Sequence, residues 1–202
     1  MHTGTRAPRL LVCSDTYPPQ VNGVSVVTAL SVTGLQRRGW EVALVAPRYP
    51  LAMRNAFGNN GGLAVLKHHL ALPSAPLPFY PDLRLALPHG RRVTALVEQF
   101  APDVVHCATE FAIGWLGQRA AIKRGIPIVT SYHTDFSRYT DAYGVGWLAS
   151  SVSAHLTRFH QRARRTFTAS DPARAHFVGH GHPRRGGVGT RRGHRKFSSP
   201  SS

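Results

Sequence analysis

Apolar residues along this chain follow two alternating rhythms: short unbroken runs, and stripes spaced three or four residues apart. Leu10-Leu11-Val12-Cys13 is an unbroken run followed by Asp15, Pro18, Pro19 and Gly23, the pattern of a buried strand that ends in a loop. Val24, Val27, Leu30 and Gly34 then recur at helical spacing. Asn22 stands at the N-cap of that helix, Arg37 and Arg38 in its last turn, and Gly39 where a left-handed C′ residue belongs. Gly34 costs a helix interior about 1 kcal/mol against Ala, so a close packing contact is expected there. Val42 to Ala46, stopped by Pro47, reads as a second buried strand and completes a parallel strand, helix, strand unit.

The unit returns later in the chain. Asp103 to His106 reads as a strand, Ile113, Leu116 and Ala120 as one helix face, Lys123-Arg124-Gly125 as the helix end, and Ile126 to Thr130 as the next strand. Between the units, Leu63 to Leu66 is expected to be a third strand. The Pro-rich stretch Leu72 to Pro88 is expected to be an ordered loop anchored by Leu77, Phe79, Tyr80, Leu83, Leu85 and Leu87. Val93, Leu96, Val97 and Phe100 mark a helix. After Tyr143 a long helical pattern runs through Trp147, Val152, Leu156 and Phe159 to Arg165, and Thr166 to Thr168 reads as a final strand. This alternation predicts an α/β fold, a doubly wound parallel sheet.

Composition narrows the picture. With 202 residues, 42% of them apolar, the chain is long enough for one domain plus a tail. No run approaches the roughly 18 to 20 apolar residues of a membrane span, and Met1 to Pro8 lacks the apolar stretch of a secretory signal. The expectation is a cytoplasmic protein with a flexible start at residues 1–8. Cys13 and Cys107 are too few for a disulfide framework and lack metal-ligand spacing, so a reducing compartment and no metal site are expected.

The balance of 25 Lys+Arg against 9 Asp+Glu gives a net charge of +16 and points to polyanions as partners. The charge is unevenly spread. Arg184, Arg185, Arg191, Arg192, Arg195 and Lys196 lie in a Gly- and His-rich stretch, 178–202, that contains no acid and almost no aliphatic residue. Such a stretch lacks the apolar area that would offset its ordering entropy, so it is expected to be disordered and the domain to occupy 9–177.

In a doubly wound sheet, ligands bind in the crevice beyond the carboxyl ends of the strands. Three loops there carry unusual residues and should face one cleft: Asp15 to Gly23, Cys107 to Glu110, and Ser131 to Phe136. Asn22-Gly23-Val24 opens a helix, whose free N–H groups and positive dipole end suit a phosphate oxygen. The plainer reading is a turn plus a cap. Neither Gly-x-Gly-x-x-Gly nor a P-loop pattern is present, which argues against dinucleotide and P-loop chemistry.

In the third loop an extended backbone would turn His133 and Asp135 to one side, where imidazole and carboxylate suit sugar hydroxyls. The plainer reading of His133 is a buried histidine satisfied by backbone, and His106, at the end of a buried strand, fits that reading better. Glu110 reads either as a ligand contact or as a first-turn carboxylate answering the dipole of the helix it opens. No Gly-x-Ser-x-Gly elbow supports a Ser-His-Asp triad.

Four segments taken together resemble a known family. They are Ser14-Asp15-Thr16-Tyr17-Pro18-Pro19-Gln20-Val21-Asn22-Gly23-Val24, Arg38-Gly39-Trp40-Glu41-Val42, Pro102-Asp103-Val104-Val105-His106, and Ser131-Tyr132-His133-Thr134-Asp135-Phe136. In this order they resemble the N-terminal domain of family-four retaining glycosyltransferases, most of all bacterial α-mannosyltransferases of the phosphatidylinositol mannoside type. The resemblance covers about Arg9 to Gly181.

It implies one Rossmann-like domain, the N-terminal, acceptor-side half of a GT-B fold. It implies transfer of a hexosyl group, mannosyl first, from a nucleotide sugar (GDP-mannose or a UDP-sugar) to a lipid or glycan acceptor, with no cofactor and no metal. Asn22, Gly23 and Val24 would lie at the donor phosphates. His133 would be the catalytic residue on the transferred sugar, and Glu110, Asp135, Arg138 and Tyr139 would line the acceptor region. Basic side chains and helix termini would stabilise the departing diphosphate.

The family's second domain, with its Glu-x7-Glu donor motif, has no counterpart in these residues, so the chain is expected to be inactive alone or completed by a donor domain in trans. Relatives run on beyond Gly181 into a segment like Val-Ala-Val-Trp-Gly-Arg-Gly-Val-Asp. GC-rich codons for it, read one base out of phase, encode Arg-Gly-Gly-Val-Gly-Thr-Arg, residues 185–191 of this chain; a frameshifted tail is therefore expected. The basic residues Arg158, Arg162, Arg164 and Arg165 are expected on one long helix, adding peripheral contact with anionic lipid at the inner membrane face. The alternative is a non-catalytic polyanion-binding module whose tail holds nucleic acid. The tail lacks the aromatic interleaving that stacks bases, which makes nucleic acid the weaker expectation.

Overall fold

Six parallel pairings of short apolar strands each need a crossover that carries the chain back to the same end of the sheet, and the order of elements reflects this. A computed structural model describes residues 6–56, 66–77, 80–133, 149–168 and 189–190. Its main sheet contains β1 (Arg9–Cys13), β2 (Glu41–Pro47), β3 (His68–Leu72), β6 (Val104–Cys107), β7 (Ile128–Tyr132), β8 (Arg165–Thr168) and the two-residue β9 (Gly189–Thr190). A separate hairpin is made by β4 (Ser74–Leu77) and β5 (Tyr80–Ala86). The helices are α1 (Gly23–Gln36), α2 (Leu51–Ala56), α3 (Gly90–Phe100), α4 (Ala112–Ile122) and α5 (Ala149–Gln161).

The main sheet runs in the order β3-β2-β1-β6-β7-β8-β9, with each neighbouring pair parallel. From β1 the chain first winds through β2 to β3 on one side. It then returns through the hairpin and α3 to β6 on the other side. The reversal therefore falls between β1 and β6, where Leu10 pairs with Val104 and Cys13 with Cys107. This is the doubly wound Rossmann-like sheet that the alternation predicted. Gly189 and Thr190, inside the segment expected to be disordered, pair with Phe167 and Thr168.

Side chains alternate across the sheet and feed two cores. Leu11, Cys13, Ala43, Val45 and Val105 point to one face, where they pack with Val93, Val97 and Phe100 of α3, Ile113 and Leu116 of α4, and Phe159 of α5. Leu10, Val12, Val42 and Leu44 point to the other face, against Val32 of α1 and Tyr17. Both cysteines are free and buried, and burial pushes their thiols up.

Several expectations change. The helix at 23–36 exists, but Val27 (45% exposed) and Leu30 (66%) face outward, while Ser25, Thr28 and Val32 are buried. The preceding loop sets this rotation. Asn22 Oδ1 accepts from the Ser25 N–H at 2.8 Å and Ser25 Oγ donates to the Gln20 carbonyl at 2.5 Å, which pins Ser25 inward; Thr28 and Val32 follow at steps of three and four. The close packing contact expected at Gly34 is with no other element: among the described residues a Cβ there would meet only Arg38, in the turn just past the helix, whose guanidinium donates to the Gly34 carbonyl at 2.8 Å. The helix ends at Gln36, one residue before Arg37, and Gly39 takes its positive φ of 82°.

The third strand begins at His68 and not at Leu63; Leu66 is buried coil, and 63–65 lie outside the described residues. The stretch expected to be a loop forms the β4–β5 hairpin instead, which accommodates proline because both strands are edges. Its alternation buries Ala86 and turns Leu85 and Leu87 outward, so those two are not anchors. The strand expected at Ile126 starts two residues later. The last helix stops at Gln161: the Arg164 N–H bonds the Ile128 carbonyl and draws the chain into the sheet, so Arg162, Arg164 and Arg165 are not helical and only Arg158 is.

Candidate functional site

The loops after β1, β6 and β7 leave adjacent strands at the point where the winding reverses, and they are bonded to one another. After β1, Ser14 to Gln20 is buried although largely polar. Ser14 Oγ donates to the Thr16 carbonyl at 2.6 Å, the Tyr17 N–H to Tyr49 Oη at 3.1 Å, and Tyr49 Oη to Gln20 Oε1 at 3.1 Å. These bonds replace water for a loop that lies inside the fold. The loop leads to Asn22, whose Oδ1 caps α1 and whose Nδ2 donates to Thr16 Oγ1 at 2.7 Å.

Asp15 ties this loop to the next. Its N–H donates to Thr109 Oγ1 at 2.8 Å, and Thr109 Oγ1 donates to Asp15 Oδ2 at 2.6 Å. Its carboxyl also accepts the N–H of Ile113 at 2.8 Å and of Gly114 at 3.4 Å, so Asp15 answers the dipole of α4. Burial pushes the Asp15 carboxyl up, against the pull of these donors. Of the two readings open for Glu110, the first-turn carboxylate is not the one found: the N-cap position is Phe111 and the first-turn N–H groups of Ile113 and Gly114 go to Asp15. No local signal connects two positions 98 residues apart, and sequence reasoning missed Asp15 for that reason.

Glu110 is 3% exposed and lies 3.5 Å from His160 Nε2. His160 Nδ1 is 2.9 Å from Thr130 Oγ1, which is 2.9 Å from Thr166 Oγ1, making a buried polar chain across β7, β8 and α5. The Tyr132 ring meets the His160 ring edge to face at 5.8 Å. His160 was not foreseen, since it reads as one more polar residue on an amphipathic helix. His106 is satisfied as expected, but by a side chain and not by backbone: Nε2 lies 2.8 Å from Ser131 Oγ, and burial lowers its pKa to about 4.

His133 follows β7 directly, half-buried. Burial holds its pKa below the ordinary histidine value, with Glu110 opposing, so the ring is neutral at pH 7. A neutral imidazole both donates and accepts a hydrogen bond. Gly23 is exposed, and a Cβ there would meet nothing within 4 Å among the described residues; Val24 is half-buried. Asp135, Arg138 and Tyr139 lie outside the described residues. The structure thus brings Asn22, Gly23, Val24, Glu110 and His133 to one end of the sheet. Among the described residues no group of three or more His, Cys, Asp or Glu is placed to hold a metal, and no helix is long and apolar enough to cross a membrane.

Residues 21–186 match the family described as Glycosyltransferase Family 4. The chain belongs to that family. This family-4 chain is 31% identical over 176 residues to a GDP-mannose-dependent alpha-mannosyltransferase of Mycolicibacterium smegmatis, covering 87% of itself and 46% of that protein. It is 32% identical over the same length to a protein of that name from Mycobacterium tuberculosis, covering 45% of it. An alpha-monoglucosyldiacylglycerol synthase of Streptococcus pneumoniae is 27% identical over 151 residues, 74% of this chain and 32% of that protein. The chain therefore spans about half the length, or less, of these relatives. Among solved structures, sucrose-phosphate synthase from Thermosynechococcus elongatus superposes with a TM-score of 0.56 at 12% identity, over 92% of this chain and 47% of that one. A UDP-N-acetylglucosamine 2-epimerase superposes at 0.55 and 11% identity, over 89% and 44%. These two likenesses concern the fold, a Rossmann-like half of a GT-B architecture.

Proposed function

We propose that this chain is the acceptor-side half of a retaining α-mannosyltransferase, acting on a nucleotide sugar, GDP-mannose first, and on a lipid or glycan acceptor. The observation that carries the reading is the 176-residue match to mycobacterial mannosyltransferases of stated GDP-mannose dependence, on a sheet whose winding reverses between β1 and β6. In this reading His133 contacts the transferred sugar. Its neutral ring can take one hydroxyl bond and give another without adding charge next to the departing diphosphate. Among the described residues nothing lies within 4 Å of a Cβ built at Gly23, so the space before α1 is open to a donor phosphate, with Asn22 capping the helix and Val24 in its first turn.

Glu110 is buried, so its part is electrostatic, behind His133 and through His160, while Asp135, Arg138 and Tyr139 are assigned to the acceptor. Donor binding and stabilisation of the leaving diphosphate belong to the second half of such enzymes, supplied by further residues or by a partner in trans. We place the enzyme in the cytoplasm as a peripheral protein, where lipid acceptors meet nucleotide sugars.

The test is to join this chain to the second half of the M. smegmatis relative and measure mannosyl transfer from labelled GDP-mannose to mycobacterial lipid extract. Transfer that needs both halves, gives an α-linked product and falls about 100-fold or more in His133→Ala agrees with the reading. A correctly folded fusion that binds GDP-mannose yet transfers nothing, or transfers equally with His133→Ala, overturns it.

A further inference from the structure

Away from the switch point, a half-open cleft of about 210 Å³ lies between α4 and α5, lined by Trp115, Gln118, His155, Arg158, Phe159 and Arg162. Its floor is Gln118, fully buried, whose Nε2 donates to the Phe159 carbonyl at 2.8 Å and whose Oε1 faces Arg162 Nη1 at 3.5 Å. Arg119 is not part of the lining, but its guanidinium carbon lies 4.5 Å over the ring of Trp115, which is, so a third cation stands one side chain away from the cleft. Arg158 Nε donates to the Ala154 carbonyl at 3.0 Å, which leaves its two terminal nitrogens for another acceptor. Among the described residues no carboxylate lies within ion-pair distance of Arg119, Arg158 or Arg162; the ion pairs lie elsewhere, at Asp103, Glu41, Glu98 and Glu110.

Two like charges on the lining, with a third held on the Trp115 ring, repel one another, and an anion in the cleft reverses the sign of that interaction. Two of the three guanidiniums are already oriented by another side chain, Arg162 by Gln118 and Arg119 by the Trp115 indole, so little side-chain entropy remains to be lost on binding. We propose that this cleft binds a phosphate mono- or diester, which guanidinium groups clasp through paired N–H bonds. Its volume is several times the roughly 30 Å³ share of one water and below the roughly 300 to 1,000 Å³ of sites for drug-sized ligands, a size that suits a phosphate group. The occupant is either the headgroup of a lipid or a soluble phosphate ester. His155 links the cleft to the switch-point site, since its Nε2 lies 3.2 Å from the Glu110 carbonyl.

Equilibrium dialysis of the full chain with labelled inorganic phosphate tests this, with glycerol 3-phosphate as a competitor. Saturable binding of one phosphate per chain is expected, weakened about tenfold in Arg119→Gln and more in Arg158→Gln/Arg162→Gln, and unchanged in Arg37→Gln/Arg38→Gln, in the turn after α1. Arg119 is exposed, so that single variant keeps the test open if the double variant does not fold. Sedimentation with phosphatidylglycerol vesicles, but not with phosphatidylcholine vesicles, dependent on the same arginines, identifies a lipid headgroup. Phosphate binding without vesicle binding identifies a soluble ester. No saturable binding, or binding that is indifferent to Arg119, Arg158 and Arg162, overturns the proposal.

Discussion

The carboxylate of Asp15, in the loop after β1, accepts the backbone N–H of Ile113 at 2.8 Å and thereby caps the helix that follows β6. One side chain closes the reversal point of the sheet: it holds the first loop of the cleft to the second and gives α4 the acceptor that Phe111 cannot supply. Asp15→Ala strands the Ile113 and Gly114 N–H groups and the Thr109 hydroxyl in a buried setting. We expect a loss of about 3 kcal/mol, measured by urea unfolding, and a smaller loss of about 1 kcal/mol for Asp15→Asn, which keeps one acceptor oxygen. Equal losses would show that charge, and not the acceptor position, is what matters.

Thr28 offers the opposite case. It is buried on the inner face of α1, and among the described residues its hydroxyl has no hydrogen-bond partner. Thr28→Val keeps the shape and removes the unsatisfied group. A stabilisation of about 1 kcal/mol is expected in the same unfolding assay, and a destabilisation of similar size would mean that the hydroxyl has a partner after all.

Glu110 and His160 form a buried pair joined to Thr130. Removing either partner leaves the other in a low-dielectric setting, so Glu110→Leu and His160→Phe should each destabilise, by about 3 kcal/mol where a charge is left unpaired. Their combination should cost less than the sum of the singles by about 1 to 3 kcal/mol in a double-mutant cycle. Additive losses would show that the two side chains stand near each other without interacting.

Acid should weaken the fold through His106. Burial lowers its pKa from 6.5 to about 4, so between those values the unfolded chain binds a proton that the folded chain refuses. Stability is then full above pH 6.5 and falls as pH drops toward 4, by about 3 kcal/mol across the window. His69 and His133 are shifted in the same direction and add to the slope. The raised carboxyl of Asp15 contributes a slope of the opposite sign, so the test is a difference. Unfolding of wild type and His106→Gln at pH 7 and pH 5 should show the variant losing less on acidification; parallel losses would remove His106 as the cause.

Hydrophobic period alone determined the element types around β1, β2, β6, β7, α3 and α4, and with them the doubly wound sheet. Those segments read clearly because burial in a parallel sheet demands continuous apolar runs, and local turn chemistry marks their ends at Gly39 and Gly125, both at positive φ. The linear motifs likewise identified three loops, and the sheet order brings their strands side by side. Tertiary structure decided what no local pattern encodes. The rotation of α1 follows from Ser25 and Gln20 in the loop before it, so its buried side is Ser25, Thr28 and Val32 although its apolar stripe points elsewhere. The β4–β5 hairpin depends on two edge strands finding each other in a proline-rich segment. Asp15 finds its partners 94 to 99 residues away, and Glu110 faces a histidine on a helix 50 residues later, because the winding reverses between β1 and β6 and folds distant loops onto one end of the sheet.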